Sequence, residues 1–468
     1  MRVEKDDLGQ MSLPDDALYG LEAARARENF SLDYRPVNPR LVLAIVKVKK
    51  AAALTFARLA ETAAGTASET AAASPVPGEA EKFRAIAAAC DRVLSAGSLE
   101  FSDAFITDAL QGGAGTSVHM NVNEVLANIA LNILGKKPGD YDAVHPLNDV
   151  NRFQSTNDVY PTALRIAAIE MLRELSDECA KFQEALQKKE NEYAGIAKLG
   201  RTELMDAAPI SLGEEFGAYA QAAARDRWRL YKVEERLRQV NLGGAAVGLT
   251  DRETRSYRYG VIEELRAITG MGLAPAEYPM DLTQNNDVFV EVSGLLKALA
   301  VNLSKIAGDF RLMNSGPRGG LGEIRLAPLQ KGSTIMAGKV NPVIPEMIIQ
   351  IGIKVCANDS AIGMAASRGE FELNAFSPLI ADSLLESLAL LKRGCFLFRT
   401  KCVEILTPDR ERCAGLLNAS WAFAVSCVPV LGYETVSRII AEHRDEPDAP
   451  EKIRRALEAA RRKQARSE

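Results

Sequence analysis

No two of the seven cysteines stand as C-x-x-C, and none has a histidine at ligand spacing. The common zinc-binding and thiol-redox patterns are therefore missing, and the cysteines read as reduced thiols, mostly in cores. The opening MRVEKDDLGQMSLPDD has no apolar signal core. No uninterrupted apolar run reaches the ~18 residues of a membrane span, so the expected location is the cytoplasm and no membrane partner is expected. An excess of positive charge is also lacking: 57 Lys and Arg against 62 Asp and Glu give a net charge of −5. That balance argues against a protein that tracks nucleic-acid phosphates and leaves room only for a local anion pocket. There is no internal repeat, and no low-complexity tract beyond the Ala-rich 60–73, which reads as helix and loop. No period-2 stretch of strand length interrupts the middle of the chain.

What is present is apolar material at helical spacing. The chain has 468 residues, 47% of them hydrophobic, enough for two or three domains with a large core. Leu164, Ala168, Met171, Leu175, Cys179, Phe182 and Leu186 recur three or four apart and predict a long helix over 158–189. The same spacing predicts helices over about 213–240 and 288–313, another after Pro345, and a fifth over 379–405. All are longer than the globular average of roughly 11 to 12 residues. The expected fold class is all-α, with a central long-helix bundle. Stretches such as VFVEVSGLLKALAVNL are apolar around much of their circumference, so self-association through the bundle is expected. Shorter pieces interrupted by AAASPVPGEAEK and LGKKPGDYDAVHP precede the bundle, and the pattern shortens again after Thr407-Pro408. The expected division is 1–151, 152–403 and 404–468. The basic ending RRALEAARRKQARSE reads as a solvated helix end or frayed tail.

Four segments concentrate small hydroxyl and amide side chains: GGAGTSVHMNVNE (112–124), NRFQSTND (151–158), GRTELMDA (200–207) and KGSTIMAGKVNP (331–342). Each lies at a helix end, where Ser, Thr, Asn and Asp also serve as caps. Together they suit a second role. Eliminating a group β to a carboxylate removes a weakly acidic C–H and creates a doubly charged intermediate, which preorganised donors must hold. Thr116, Ser117, Ser155, Thr156, Thr202, Asn157, Asn341 and Lys339 are donors of suitable type, although a single lysine is more often a surface residue. The glycines around 331–342 permit a closing lid or a plain turn. A serine can act as a base only if its oxyanion is stabilised by N–H groups and a nearby cation. Ser333, with Lys339 six residues on, is the candidate.

GSTIMAGKVNPVIPE resembles the signature loop of the fumarase/aspartase superfamily, usually GSS-hydrophobic-MP-small-K-hydrophobic-NP. GGAGTSVHMNVNEVLAN, QSTNDVYPTALRIA, GRTELMDAAPISLGEEF and SGPRGGLGEI resemble the family in order and context, over roughly 18–440. YGLEAARARENF and GAGTSVHMNVNEVLAN are more similar to the family's aspartate ammonia-lyases than to its fumarases, where the latter segment more often reads SGTQSNMN. The resemblance implies a lyase without cofactor that releases an amine from an aspartate-like amino acid. In it Ser333 abstracts the β-proton, Lys339 and Asn341 grip a carboxylate, and Thr116, Ser117, Ser155, Thr156, Asn157, Thr202 and Thr334 surround the substrate. It also implies a homotetramer whose active sites each draw on three subunits.

The chain departs from the family pattern at three places. Glu203 stands where fumarases have histidine and aspartases histidine or glutamine, a position the family pairs with the glutamate after the signature loop, here Glu346. Two carboxylates brought together require a raised pKa or an intervening cation. Glu203 then holds or protonates an amine leaving group, selects a larger or permanently cationic amine, or merely faces water or Arg201. Ala337 replaces the usual loop proline, which should loosen the loop. Asn285, Asn286 and Asp287 stand where the family often has small residues. A fumarase and a non-catalytic helical oligomer are the competing readings, and the intact Ser333, Lys339 and Asn341 weigh against the second.

Overall fold

The computed structural model describes all residues other than 67–77, 97–100, 250–253 and 466–468. A hairpin of β1 (Arg2–Asp6) and β2 (Gly9–Leu13) opens the chain, followed by helices α1 (Leu21–Asn29), α2 (Pro39–Thr66), α3 (Glu79–Ala96) and α4 (Thr116–Ile133). After α5 (Thr156–Tyr193) comes a second hairpin, β3 (Ala197–Thr202) and β4 (Met205–Ser211), then α6 (Leu212–Leu237) and the two-residue β5 (Gln239–Val240). Next come α7 (Arg255–Thr269), β6 (Ala274–Pro275), α8 (Pro279–Gln284), α9 (Asp287–Met313), β7 (Ile324–Arg325), α10 (Val343–Ala366) and α11 (Ser377–Phe398). The chain closes with β8 (Thr407–Pro408), α12 (Arg410–Asn418), α13 (Val428–Leu431), α14 (Tyr433–His443) and α15 (Ala449–Ala465).

The five long helices expected from periodicity are α5, α6, α9, α10 and α11. The fold is mostly helical rather than wholly so. Antiparallel β3–β4, with Ala197 opposite Ser211 and Thr202 opposite Met205, breaks the expectation that no strand interrupts the bundle region. Its alternation was hidden by the bulge between Leu199 and Arg201, which resets the side-chain period.

The chain divides into two compact units. The first comprises Met1–Leu175, Arg229–Lys297 and Lys354–Leu390; the second comprises Ser176–Trp228, Ala298–Ile353 and Leu391–Glu468. In the first, α2 packs on α3, α4 and α7, and the ring of Phe56 stacks on Phe83 and Tyr257 at 5.0 and 4.8 Å. The N-terminus of α1 is held by the buried carboxylate of Glu124, which accepts from the backbone N–H groups of Gly20, Glu22 and Ala23. In the second, Phe182, Phe216, Phe310 and Phe398 form a buried aromatic core.

All seven cysteines are free thiols, and all but Cys356 are buried. Of the two readings of the basic ending, a helix end is what forms rather than a frayed tail: α15 runs through Ala465 and buries Ile453 and Leu457. Its final residues, 466–468, and the Ala-rich tract from 67 on lie outside the described residues. Among the described residues no single helix is long and apolar enough to cross a membrane.

Candidate active site

The candidate residues fall in two groups, one per unit. In the first unit, a turn at Gly113, Ala114 and Gly115, all with positive φ, delivers the chain to α4. A Cβ at Gly115 would lie 2.3 Å from the ring of Tyr160, so only glycine lets α4 start this close to α5. Thr116 spends its hydroxyl locally, donating to the carbonyl of Gly113 at 2.7 Å. Ser117 has no hydrogen-bond partner among the described residues and is half-buried.

Ser155, Thr156 and Asn157 occupy the start of α5, where backbone N–H groups and the helix dipole favour an anion. Ser155 accepts the N–H of Asn157 at 3.2 Å, and its own N–H donates to Asp158 at 3.0 Å, a reciprocal cap. The capping reading is thus what forms at this segment. Asp158 also accepts the N–H groups of Gly243 and Ala245 at 2.9 and 3.1 Å, and Asn157 donates to the carbonyl of Ala246 at 2.7 Å. The 241–249 segment is thereby fastened to the helix start.

Beneath this helix start lies a buried polar cluster. Lys49 on α2 donates to Asn151 at 2.8 Å and Gln154 at 2.9 Å. Burial pushes its ammonium down to about 7, against the pull of Asp158. Burial pushes Asp158 up to about 6, opposed by its three backbone donors. His119 meets the Thr156 hydroxyl at 2.8 Å, and burial, helped by the Lys49 charge, holds its pKa well below the usual value.

In the second unit, the tip of the β3–β4 hairpin is Glu203 and Leu204, with φ of 55° and 64°. Two successive left-handed residues give the tight primed turn that matches strand twist, here built without glycine. Thr202 and Glu203 are exposed, and Glu203 has no hydrogen bond or ion pair among the described residues. The reading that pairs it with Arg201 is not what forms: Arg201 is 2.8 Å from Glu323, which is fully buried and also lies 3.2 Å from Lys198. Glu346, in the first turn of α10, faces Arg311 at 3.8 Å. Back in the first unit, Asn286 is buried while Asn285 donates to Asp281 at 2.6 Å, so Asn285 serves its own helix.

The 331–342 loop is organised around Ser333. Its hydroxyl oxygen accepts the backbone N–H of Ile335 at 3.2 Å and of Met336 at 2.9 Å. Two N–H dipoles converging on one oxygen favour a negative charge there. The loop base is closed by Asn341, whose amide donates to the carbonyl of Gly332 at 2.7 Å, and by the Gly332 N–H to the carbonyl of Lys339 at 2.9 Å. A Cβ at Gly332 would lie 2.6 Å from that same Lys339 oxygen. Thr334, Ala337 and Lys339 are exposed, and the Lys339 ammonium is free of ion pairs among the described residues.

Lys49, His119, Asp158 and Glu323 were not singled out from the sequence. Lys49 had a signal, since it stands four residues after Ile45 and three before Ala52 on an otherwise apolar buried face of α2. A lone charge at such a position is costly unless it is used.

Long helices, a loop serine whose oxygen accepts two N–H groups and an exposed lysine in the same loop make up a mostly helical fold of the lyase class. The lyase family model matches residues 9–357. An aspartate ammonia-lyase of Pseudomonas aeruginosa is 42% identical over 94% of this chain and 89% of its own. The crystal structure of fumarate lyase:delta crystallin from Brucella melitensis superposes with a TM-score of 0.86, at 41% identity, over 97% of this chain and 99% of that one. A class II fumarase from Schistosoma mansoni is more distant, at 28% identity and a TM-score of 0.85, over 94% of this chain and 92% of its own. This chain belongs to that lyase family, the fumarase/aspartase superfamily.

Proposed function

We propose that the protein is a carbon–nitrogen lyase that eliminates ammonia from L-aspartate to give fumarate. The observation that carries the reading is the pair of N–H groups on Ser333 Oγ. They stabilise the alkoxide that takes the β-proton of the substrate. The electron pair left at Cβ delocalises into the adjacent carboxylate, then forms the C=C bond as the C–N bond breaks and the nitrogen leaves with its pair. Lys339 and Asn341 hold the carboxylate that gains charge. Ser117, Ser155, Thr156, Asn157, Thr202 and Thr334 donate to the remaining substrate oxygens, and Thr116 joins them when its hydroxyl turns from the Gly113 carbonyl. Glu203 holds or protonates the departing amine, and Glu346 supports it. No cofactor enters these steps.

The active enzyme is proposed as a cytoplasmic homotetramer with each site shared among three subunits, and the chain as three domains, 1–151, 152–403 and 404–468. Val301, Leu312 and Ile353, all large, apolar and exposed on α9 and α10, support association through the long helices. A small amino acid is the partner, with neither nucleic acid nor membrane.

A second reading, an N-substituted or quaternary amine as leaving group, is favoured by the exposed, unpaired carboxylate of Glu203, which suits a bulkier cation. A substrate panel separates the readings. Fumarate appearing from L-aspartate supports the first, and fumarate appearing only from N-methyl or N-trimethyl aspartate establishes the second. Malate formed from fumarate without added amine, and no turnover of any amine, would make the protein a hydratase.

A further inference from the structure

His119 stands where the fumarase-like form of the same segment has asparagine, and it meets Thr156 inside the fold rather than at its surface. We propose that His119 is a positioning residue that turns the Thr156 hydroxyl into a dedicated hydrogen-bond donor toward a substrate carboxylate. This rests on the reading of Thr156 as a substrate-binding residue.

His119 is 1% exposed, and its Nδ1 lies 2.8 Å from Thr156 Oγ. Its Nε2 is buried with no hydrogen-bond partner among the described residues. The doubly protonated ring is disfavoured by burial and by the Lys49 ammonium, so one nitrogen carries the single ring proton. Placing it on Nε2 buries an N–H with nothing to accept it. Placing it on Nδ1 leaves only an unused lone pair, the cheaper omission. The Nδ1–H form therefore prevails and donates to Thr156 Oγ.

A hydroxyl has one proton and two acceptor sites. With one acceptor site filled by His119, the Thr156 proton is free to donate. No protein acceptor takes it among the described residues. The hydroxyl is thus directed as a donor beside Ser155 and Asn157, where the helix N-terminus already favours a carboxylate. Had the tautomer been reversed, Thr156 would spend its proton on the ring and present only lone pairs to an anion.

Two measurements on the whole 468-residue chain test this. The chain has three histidines, so 15N-histidine labelling gives few signals, and His119→Asn identifies that of His119. The expected spectrum is a neutral ring protonated at Nδ1 throughout roughly pH 6 to 8. Protonation at Nε2, or a ring that titrates in that range, overturns the proposal. In steady-state kinetics on L-aspartate, His119→Leu, which cannot donate, should raise KM roughly tenfold. His119→Asn, whose amide can replace the Nδ1 donor, should restore KM to near wild type. Equal KM in His119→Leu and wild type, with KM raised in Thr156→Val, also overturns it. Unchanged KM in Thr156→Val would remove Thr156 from the substrate site and refute the underlying reading, whichever tautomer the spectrum shows. Should His119→Leu fail to fold, the spectrum and the asparagine variant still decide.

Discussion

The backbone N–H of Met336 lies 2.9 Å from the hydroxyl oxygen of Ser333, three residues earlier in the same loop. The serine oxygen therefore sits in a turn made by its own chain, with the Ile335 N–H as a second donor. The donors belong to the same turn as the serine, so in the proposed mechanism they would stay with its oxygen through any movement of the loop.

The turn after this cradle runs from Met336 to Lys339, with the Lys339 N–H on the Met336 carbonyl at 3.3 Å and Gly338 at φ 78°. Ala337 is at the second position of that turn and Gly338 at the third, the places where proline and glycine fit a type II turn. Ala337→Pro is expected to keep activity on L-aspartate and to slow amide hydrogen exchange over 333–339. Its effect on loop ordering is worth about 0.4 to 1 kcal/mol. A large loss of activity would show that the bound loop requires a backbone angle that proline forbids.

Glu323 joins Lys198 and Arg201 on the strand that leads to Thr202 and Glu203. Glu323→Ala leaves cations only 4% and 14% exposed with one fewer counter-charge. The expected cost is about 3 kcal/mol, read as a lowered thermal midpoint. Lys198 keeps Glu215 as a partner, so Arg201 bears most of the loss. KM for L-aspartate should rise with it as the hairpin tip loses its anchor.

Lys49 gives a pH signature. Its folded-state pKa, about 7, lies below the ordinary 10.5, so between these values the unfolded chain binds the extra proton. Its contribution to stability therefore rises with pH across that window, by about 1.4 kcal/mol per pH unit. Thermal midpoints of wild type and Lys49→Met, compared from about pH 7 to about pH 9, should show wild type gaining on the variant. Parallel curves would mean that Lys49 keeps its charge when folded.

The long helices were legible because each buries one wide face, and spacing alone reveals a face: α5 and α9 begin and end within a few residues of the apolar pattern. The β3–β4 hairpin was not, since a bulge destroys the two-residue period. Ser333, Lys339 and Asn341 were legible as a compact motif in one loop, and Thr116, Ser155, Thr156 and Asn157 as hydroxyls and amides at helix starts. The polar cluster beneath α5 was hidden because Lys49, His119 and Asp158 come from three different stretches of chain, and only folding brings them together. For Glu203 the sequence identified an unusual residue, and the structure adds that its carboxylate is exposed on a strained turn.

Ser333 as the base of an ammonia elimination is open to a simple test. The most direct measurement is the rate of fumarate formation from L-aspartate by wild type and by Ser333→Ala, followed by ultraviolet absorbance, with thermal midpoints compared. The expected result is measurable turnover by wild type and a loss in the variant on the order of 10²- to 10⁴-fold, with the midpoint unchanged. Retention of wild-type turnover by the folded variant would contradict it.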